Sequence, residues 1–191
     1  MEHDYTKYRT AWRRLWAGLV DGLLFVPIGL ADEAIWRSIA SPLLLVPWFV
    51  LHSFSVVAYS IVLHWVWGQT LGKRITGVRV LNVGGGRLSL RQALLRDILP
   101  VSLTVVGVAL DLPAVSRGEN PYANANQAVG LSGLSVFQLF VLWASLGWFV
   151  VEVLTMLSNR KRRALHDFIA GTVVVRTTMG REERPWSFDG A

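Results

Sequence analysis

The chain of 191 residues is 52% hydrophobic and 17% charged, contains no cysteine and has a formal net charge of +6. A soluble domain of this length is ordinarily less apolar and more charged, so the composition indicates a protein whose main solvent is the lipid bilayer. The lack of cysteine excludes disulfides, thiol catalysis and Cys-ligated metals. No groove-reading motif accompanies the basic charge, which argues against nucleic acid as a partner.

The basic residues fall in three blocks, at 7–14, 73–96 and 160–184, which alternate with long apolar stretches. Of the 19 Lys and Arg residues, all but Arg37 and Arg117 lie in these blocks. Short loops rich in Lys and Arg stay in the cytoplasm during insertion, so the pattern predicts a multi-pass membrane protein with both termini inside. The lipid bilayer is its predicted partner, and the blocks would also attract anionic lipid headgroups.

Four segments can be placed as spanning helices, at about residues 12–31, 42–66, 94–115 and 131–157. The first is a retained helix rather than a cleaved signal peptide, because its apolar run contains Asp21 and no clean cleavage site follows. The third has an uninterrupted apolar part shorter than the roughly 20 residues needed to cross. It is still taken as a span, because otherwise the basic run after the fourth helix would lie outside. The predicted fold class is an all-α membrane protein with four transmembrane helices, N-in/C-in.

A small β-element is predicted between the spans and the C-terminus, on the cytoplasmic side. Residues 78–83 and 172–177 are short runs of β-forming residues, and a glycine turn follows the first run. Each strand alone would leave backbone groups unpaired, so we expect the two to pair. Ser89 and Gln92 have the spacing of a capping box, which predicts a helix that begins near residue 90. The membrane domain is thus expected to cover 1–178, and 179–191 to be a disordered tail.

Three ordered motifs carry a resemblance to a known family. They read WRRLWAGLVD at 12–21, GQTLGKRITGVRV at 68–80 and RALHDFIAGTVVV at 163–175. Together they resemble the RDD family of bacterial membrane proteins, which is named for one arginine and two aspartates. The resemblance covers about residues 8–176 and implies a multi-pass protein of the bacterial inner membrane. It places the family arginine at Arg14, with Arg13 as the neighbouring alternative, and the aspartates at Asp21 and Asp167.

Asp21 lies inside the first apolar run, on the same helix face as Arg14 and two turns after it. Two turns give about 10 Å of rise, too far for a direct ion pair without a third group. A charge in hydrocarbon costs roughly 3 kcal/mol, so Asp21 needs a partner, a water-filled cavity or a proton. It is therefore a proton or cation carrier tuned by Arg14, a buried polar clasp to Arg14 or Arg96, or a simple interface position.

Two further acids are candidate site residues. Asp167 would either pair with a cytoplasmic arginine near the mouth of a pathway, or cap a helix and fix the strand at Thr172 with His166 alongside. Glu152 is the only charged residue of the fourth span. It would either share a proton with Asp21 or point back to the basic run that follows its helix.

Enzyme functions have little support in the sequence. The chain has no P-loop spacing and no G-x-S-x-G motif, and its 4 histidines lack ligand spacing. We therefore expect no catalytic residue, cofactor or metal.

The resemblance implies a transport role, since transport, including cation/proton antiport, has been proposed for some family members. We expect transport of a small solute or ion, by a homo-oligomer because four short helices seldom enclose a pathway. The alternative is a non-transporting scaffold or accessory subunit that presents its cytoplasmic element to a partner. A polar cavity shared by Asp21 and Glu152 would favour transport, and a dry, satisfied clasp would favour the scaffold.

Overall fold

The computed structural model describes residues 5–122 and 136–177. After a 3-10 turn at Tyr5–Tyr8, the elements in chain order are α1 (Ala11–Ser38), α2 (Pro42–Trp67), α3 (Leu71–Ile75), β1 (Val78–Asn82), α4 (Leu90–Arg96), α5 (Ile98–Ser116), α6 (Val136–Ser158), α7 (Leu165–Ala170) and β2 (Thr172–Arg176). The predicted disordered tail, and the beginning of the predicted fourth span, lie outside the described residues.

Four of these helices, α1, α2, α5 and α6, are long and apolar enough to cross a membrane. Many of their large apolar side chains face outward, as expected where lipid takes the place of a protein core. The predicted mostly helical membrane fold with four spans is therefore confirmed. The side of the membrane on which the termini lie stays a prediction.

The third span is interrupted where the sequence analysis expected one segment from 94 to 115. The backbone leaves the helix at Asp97, with φ −101° and ψ 19°, so α4 ends at Arg96 and the spanning helix α5 begins at Ile98. The predicted capping box is present, because the side chains of Ser89 and Gln92 each accept the other residue's backbone N–H. The first span also extends further than predicted, to Ser38.

The two predicted strands pair with each other, which confirms the small sheet. β1 and β2 are antiparallel, with Val78 opposite Arg176 and Asn82 opposite Thr172. Three apolar side chains of the sheet, together with that of Leu88, are buried as one small core. The sheet therefore has its own apolar interior and does not rely on the spanning helices for one.

The short elements gather at one end of the helices, and we call α3, β1, α4, α7 and β2 together the cap. Within it, α3 packs against α1, and α4 packs against both α2 and α7. At the opposite end, which we call the far end, Leu45, Phe49 and Val115 form a second buried cluster. The fold thus places the end of α1 that carries Arg14 and Asp21 against the cap.

Candidate functional site

Asp167 lies at the centre of the cap and has no exposed surface. Its carboxylate accepts the backbone N–H of Ala164 and the hydroxyl of Thr172, both at 3.0 Å. The first bond fixes the beginning of α7, and the second fixes the beginning of β2. Asp167 therefore has the local structural role that the sequence left open for it.

Two arginines from distant parts of the chain donate to opposite oxygens of this carboxylate. Arg14 comes from α1 and Arg96 from α4, and both side chains are almost fully buried. Arg14 also donates to the carbonyl of Arg162 at 3.0 Å, and Arg96 donates to the Thr172 hydroxyl at 2.7 Å. One carboxylate thus ties the first spanning helix, the entry to the third and the C-terminal strand into one unit.

The two guanidiniums set the charge state of the acid. Burial alone would raise the pKa of Asp167, but Arg96 and then Arg14 hold it well below its usual range. The carboxylate is ionised at any physiological pH and cannot exchange protons there. Removing it would leave two buried cations without their counter-ion.

Glu152 supplies the second acid of the same network. One of its oxygens accepts the backbone N–H of His166 at 3.0 Å, and the other lies 2.5 Å from the His166 ring Nδ1. The other ring nitrogen, Nε2, lies 2.9 Å from an Arg96 guanidinium nitrogen. The sequence left two alternatives for the direction of the Glu152 side chain. In the structure it contacts the segment after its own helix and does not lie beside Asp21.

The neighbours of His166 assign its tautomer. Burial first, and the Arg96 guanidinium next, lower the pKa of His166, so its neutral form is favoured. Arg96 can only donate and the carboxylate of Glu152 can only accept, so the proton lies on Nδ1 and Nε2 is the acceptor. The network then joins the guanidiniums of Arg14 and Arg96 to the carboxyl groups of Asp167 and Glu152 through a neutral imidazole.

Asp21 lies in a separate site and has different partners. Its carboxylate accepts the hydroxyls of Tyr59 at 2.7 Å and Thr70 at 2.6 Å, and the backbone N–H of Gly72 at 2.7 Å. Two of these donors belong to α3 or its cap residue. Asp21 is a polar clasp, as one alternative held, but it closes onto α3 rather than onto Arg14 or Arg96.

The clasp requires very close approach of α1 and α3 at Gly72. A Cβ built on this glycine would lie 2.1 Å from the backbone carbonyl oxygen of Ala17 and 2.9 Å from the Asp21 carboxyl carbon. Both distances are far below van der Waals contact. Only glycine lets the backbone N–H reach the carboxylate here.

A third group of polar side chains in contact with one another was not predicted from the sequence. The Lys73 amine lies 2.6 Å from His64 Nε2, Ser60 Oγ lies 3.2 Å from His64 Nδ1, and Ser60 donates to Asp97 at 2.7 Å. Burial, followed by the guanidiniums of Arg96 and Arg14, lowers the pKa of Lys73 to about 7. Lys73 lies in the second motif, but its position in a basic block indicated only topology.

The far end contains a cavity of about 330 Å³ between α2, α5 and α6. Asp111 lines it, and among the described residues its carboxylate has no hydrogen-bond or ion-pair partner. The polar side chains that also line this cavity are those of His52, Ser53, Thr104, Tyr122 and Gln138. Nothing in the sequence singled out Asp111, since one acid near the end of an apolar run does not show that it faces a cavity.

A polar cavity shared by Asp21 and Glu152 was to distinguish a transporter from a scaffold. No such cavity is found among the described residues. Glu152 lines an apolar groove of about 630 Å³ between α1 and α6, together with Arg14 and His166. Asp21 instead faces α2 and α3. The three family charges and Glu152 therefore form two satisfied clusters, one around Asp167 and one around Asp21.

Comparisons with known proteins give a family match and a similar protein. The profile of the RDD family matches residues 8–171, a range that includes Arg14, Asp21 and Asp167. The chain is 26% identical over 182 residues to the uncharacterized protein YckC of Bacillus subtilis (strain 168), and the match covers 90% of this chain and 87% of that protein. No solved structure matches the chain.

Proposed function

This chain belongs to the RDD family, and from that membership and the far-end cavity we propose that it transports a small cation in exchange for protons. The observation that carries the proposal is Asp111, an acid within a spanning helix that faces a cavity and has no hydrogen-bond or ion-pair partner among the described residues. Ionisable groups inside a membrane are costly and commonly mark ion pathways or proton relays. The energetic cost of a carboxylate in that position is lowered when it binds a proton or a cation. Exchange requires a site that can bind either of the two.

The dimensions and lining of the cavity suit a small ligand. Its volume of about 330 Å³ lies at the lower end of the range for small-molecule sites. Hydroxyl, amide and imidazole groups beside Asp111 offer oxygen and nitrogen lone pairs to a cation that sheds its water. A monovalent metal ion or a small protonated amine fits this chemistry.

The family triad has a supporting role in this proposal. Asp21 accepts three hydrogen bonds and Asp167 is held by two guanidiniums, so neither has a vacant oxygen to offer a substrate. They hold the cap against the spanning helices and so close the end opposite to the cavity. The carrier role expected for Asp21 therefore passes to Asp111, while Arg14 pairs with Asp167 instead of tuning Asp21.

Flux in proteoliposomes tests the proposal. The purified chain is reconstituted with a pH-sensitive dye inside, and Na⁺, K⁺ or a small amine is added outside. Wild-type protein should give cation-dependent proton flux, and Asp111→Asn should abolish it. Glu119→Gln is the matched control, because it removes an exposed acid near the same end and should leave the flux unchanged. Flux that survives Asp111→Asn would refute the site.

The second candidate is a non-transporting membrane scaffold, and the satisfied clasps favour it. In this alternative, the triad serves only to mount the cap, which we propose to be cytoplasmic, for a protein partner. The discriminating result is the absence of flux above empty liposomes for wild-type protein that is folded and inserted.

Under the transport proposal we also expect a homo-oligomer in the bacterial inner membrane, since α6 has no buried residue among those described.

A further inference from the structure

Four polar side chains form a continuous series of contacts from the cap to the interruption of the third span. The series, which we call the polar row, consists of Lys73, His64, Ser60 and Asp97. Its three successive contacts measure 2.6, 3.2 and 2.7 Å between the polar atoms. Each contact is within hydrogen-bonding distance, so neighbouring groups are close enough to pass a proton.

Local features of the sequence bring the four side chains together. Ser60 and His64 are four residues apart in α2, so they lie on one face of that helix. The backbone turns at Gly68, which has the left-handed φ of 67°, and this turn returns α3 with Lys73 to the same helix. Asp97 is the non-helical residue between α4 and α5, and α4 packs against α2. The break in the third span is thus where the polar row ends.

The chemistry of the end groups gives the hydrogen bonds one direction. An ionised Asp97 can only accept, so Ser60 donates its hydroxyl proton to it and accepts the Nδ1 proton of His64. The Nε2 atom of His64 then accepts from the ammonium group of Lys73. Each donor meets one acceptor, and the direction runs from Lys73 to Asp97.

Access to the polar row differs between its ends and its middle. His64 is buried, whereas Lys73 and Asp97 both keep part of their surface exposed. Without a relay, the ring proton of a buried imidazole exchanges with water only when the structure opens locally. The row supplies a route for that proton through groups that are themselves partly exposed.

The charged and titratable groups that face Lys73 or His64 come from α1, from α4 and its end, and from α7: Arg14, Asp21, Arg96, Asp97 and His166. Burial first, and the guanidiniums of Arg96 and Arg14 next, lower the pKa of Lys73 to about 7. An amine with this pKa both holds and releases a proton near neutrality, as a proton donor in a relay must.

We propose that the polar row is a proton relay between the cap and the interruption of the third span. In one passage, the Lys73 ammonium gives a proton to His64 Nε2, and His64 Nδ1 gives its proton to Ser60 Oγ. The Ser60 hydroxyl gives its original proton to the Asp97 carboxylate. The products are a neutral amine, the other tautomer of His64, a hydroxyl as before and a carboxylic acid, so protons and charge balance.

Both halves of the relay are needed for one passage. A neutral imidazole can release its Nδ1 proton and stay neutral only if it gains another at Nε2. If either contact is lost, His64 would have to become a buried ion, which is costly. The inference does not depend on the proposed cation exchange, because it concerns a proton that moves within the protein.

Exchange of the His64 ring proton with water tests the relay. The full chain, labelled with ¹⁵N at histidine, is held in detergent micelles at neutral pH, and ring N–H exchange is followed by NMR. The signal of His64 is the one lost in His64→Gln. Exchange should be fast in wild type, although the ring is buried. Ser60→Ala should slow it by about a hundredfold or more, the lower range of the effect of a positioned acid or base.

Lys73→Arg tests the other half of the relay. A guanidinium keeps the charge and can donate to Nε2, but it is not deprotonated in proteins. This variant should therefore slow the exchange as Ser60→Ala does. Ser60→Thr keeps the hydroxyl and should restore the fast exchange, which separates proton transfer from a merely structural role of the side chain.

Ser55→Ala is the matched control, because Ser55 is also in α2 and donates only to the carbonyl of His52 in its own helix. It should leave the exchange of the His64 proton unchanged. Slow exchange in wild type would overturn the relay, as would equal rates in wild type, Ser60→Ala and Lys73→Arg. Slowing by only one of these two changes would also overturn it, because the proposed transfer needs both contacts.

Discussion

Arg14 donates to Asp167, 153 residues later in the chain, and not to Asp21, which lies two turns along its own helix. The arginine and the two aspartates of this family therefore do not form one site. One pair joins α1 to α7, while Asp21 fastens the first spanning helix to α3. The two sites share a helix but no hydrogen bond among the described residues.

Replacing Asp167 with Asn should be among the most destabilising changes in the chain. It leaves the buried guanidiniums of Arg14 and Arg96 without their counter-ion, which costs about 3–5 kcal/mol in comparable buried pairs. Thermal unfolding in detergent measures this loss. Glu33→Gln, which breaks an exposed pair with Arg37, is the control and should change the unfolding temperature little. A silent Asp167→Asn would show that the network does not support the fold.

Double-mutant cycles should separate the two sites. Arg14→Ala and Asp167→Asn should be strongly coupled, with an interaction of about 1–3 kcal/mol, because each change removes the same contact. Arg14→Ala and Asp21→Asn should instead add to within about 0.5 kcal/mol, because among the described residues they share no hydrogen-bond partner. Unfolding free energies of the single and double variants supply both cycles. Strong coupling between Arg14 and Asp21 would contradict the separation seen in the structure.

Sequence reasoning recovered the elements whose limits are set by general physics. Bilayer thickness fixes the length of a span, so α2 could be placed almost to the residue. The two strand-like runs could be paired because an isolated strand leaves its backbone groups unsatisfied. The capping box of α4 is local and could be read from two residues, Ser89 and Gln92.

The partners of the buried charges could not be predicted in the same way. Periodicity shows which residues share a helix face, but not which neighbour that face meets. The choice of Asp167 over Asp21 by Arg14 depends on how α7 sits against α1, and the Lys73–His64 contact depends on the return of α3 onto α2. Such contacts follow from tertiary packing, for which one sequence contains no distance information.

Gly72→Ala should detach α3 from α1. The added methyl group would collide with the Ala17 carbonyl, so the helices must separate and Asp21 loses the Gly72 N–H. We expect a loss of several kcal/mol, larger than the roughly 1–3 kcal/mol of ordinary overpacking, because backbone rather than a side chain must move. Gly22→Ala on α1 is the matched control, since a Cβ there meets nothing within 4 Å. It should be neutral or slightly stabilising, and equal effects of the two would contradict the close approach.

Lys73 should make stability depend on pH above neutrality. Its pKa is lowered from 10.5 to about 7 in the folded chain, so between these values the unfolded chain binds the extra proton. Stability should therefore rise with pH from about 7 toward 10.5, and the full cost of burying the charge applies below about 7. Lys73→Met should flatten this rise, whereas Lys73→Arg, which stays charged, should be less stable than wild type above about pH 7. Parallel pH profiles for wild type and Lys73→Met would refute the assignment.

The cap should lie in the cytoplasm and the α5 end at Arg117 and Glu119 outside, because nearly all basic residues flank the cap. The chain has no natural cysteine, so single cysteines can be introduced directly. Val83 is exposed in the cap and Glu119 is exposed beyond α5, and neither requires a positive φ. A membrane-impermeant maleimide should label Glu119→Cys in intact cells and Val83→Cys only after the cells are opened. Labelling of Val83→Cys in intact cells would contradict this topology. The short Lys- and Arg-rich loops would then lie outside, against the charge rule.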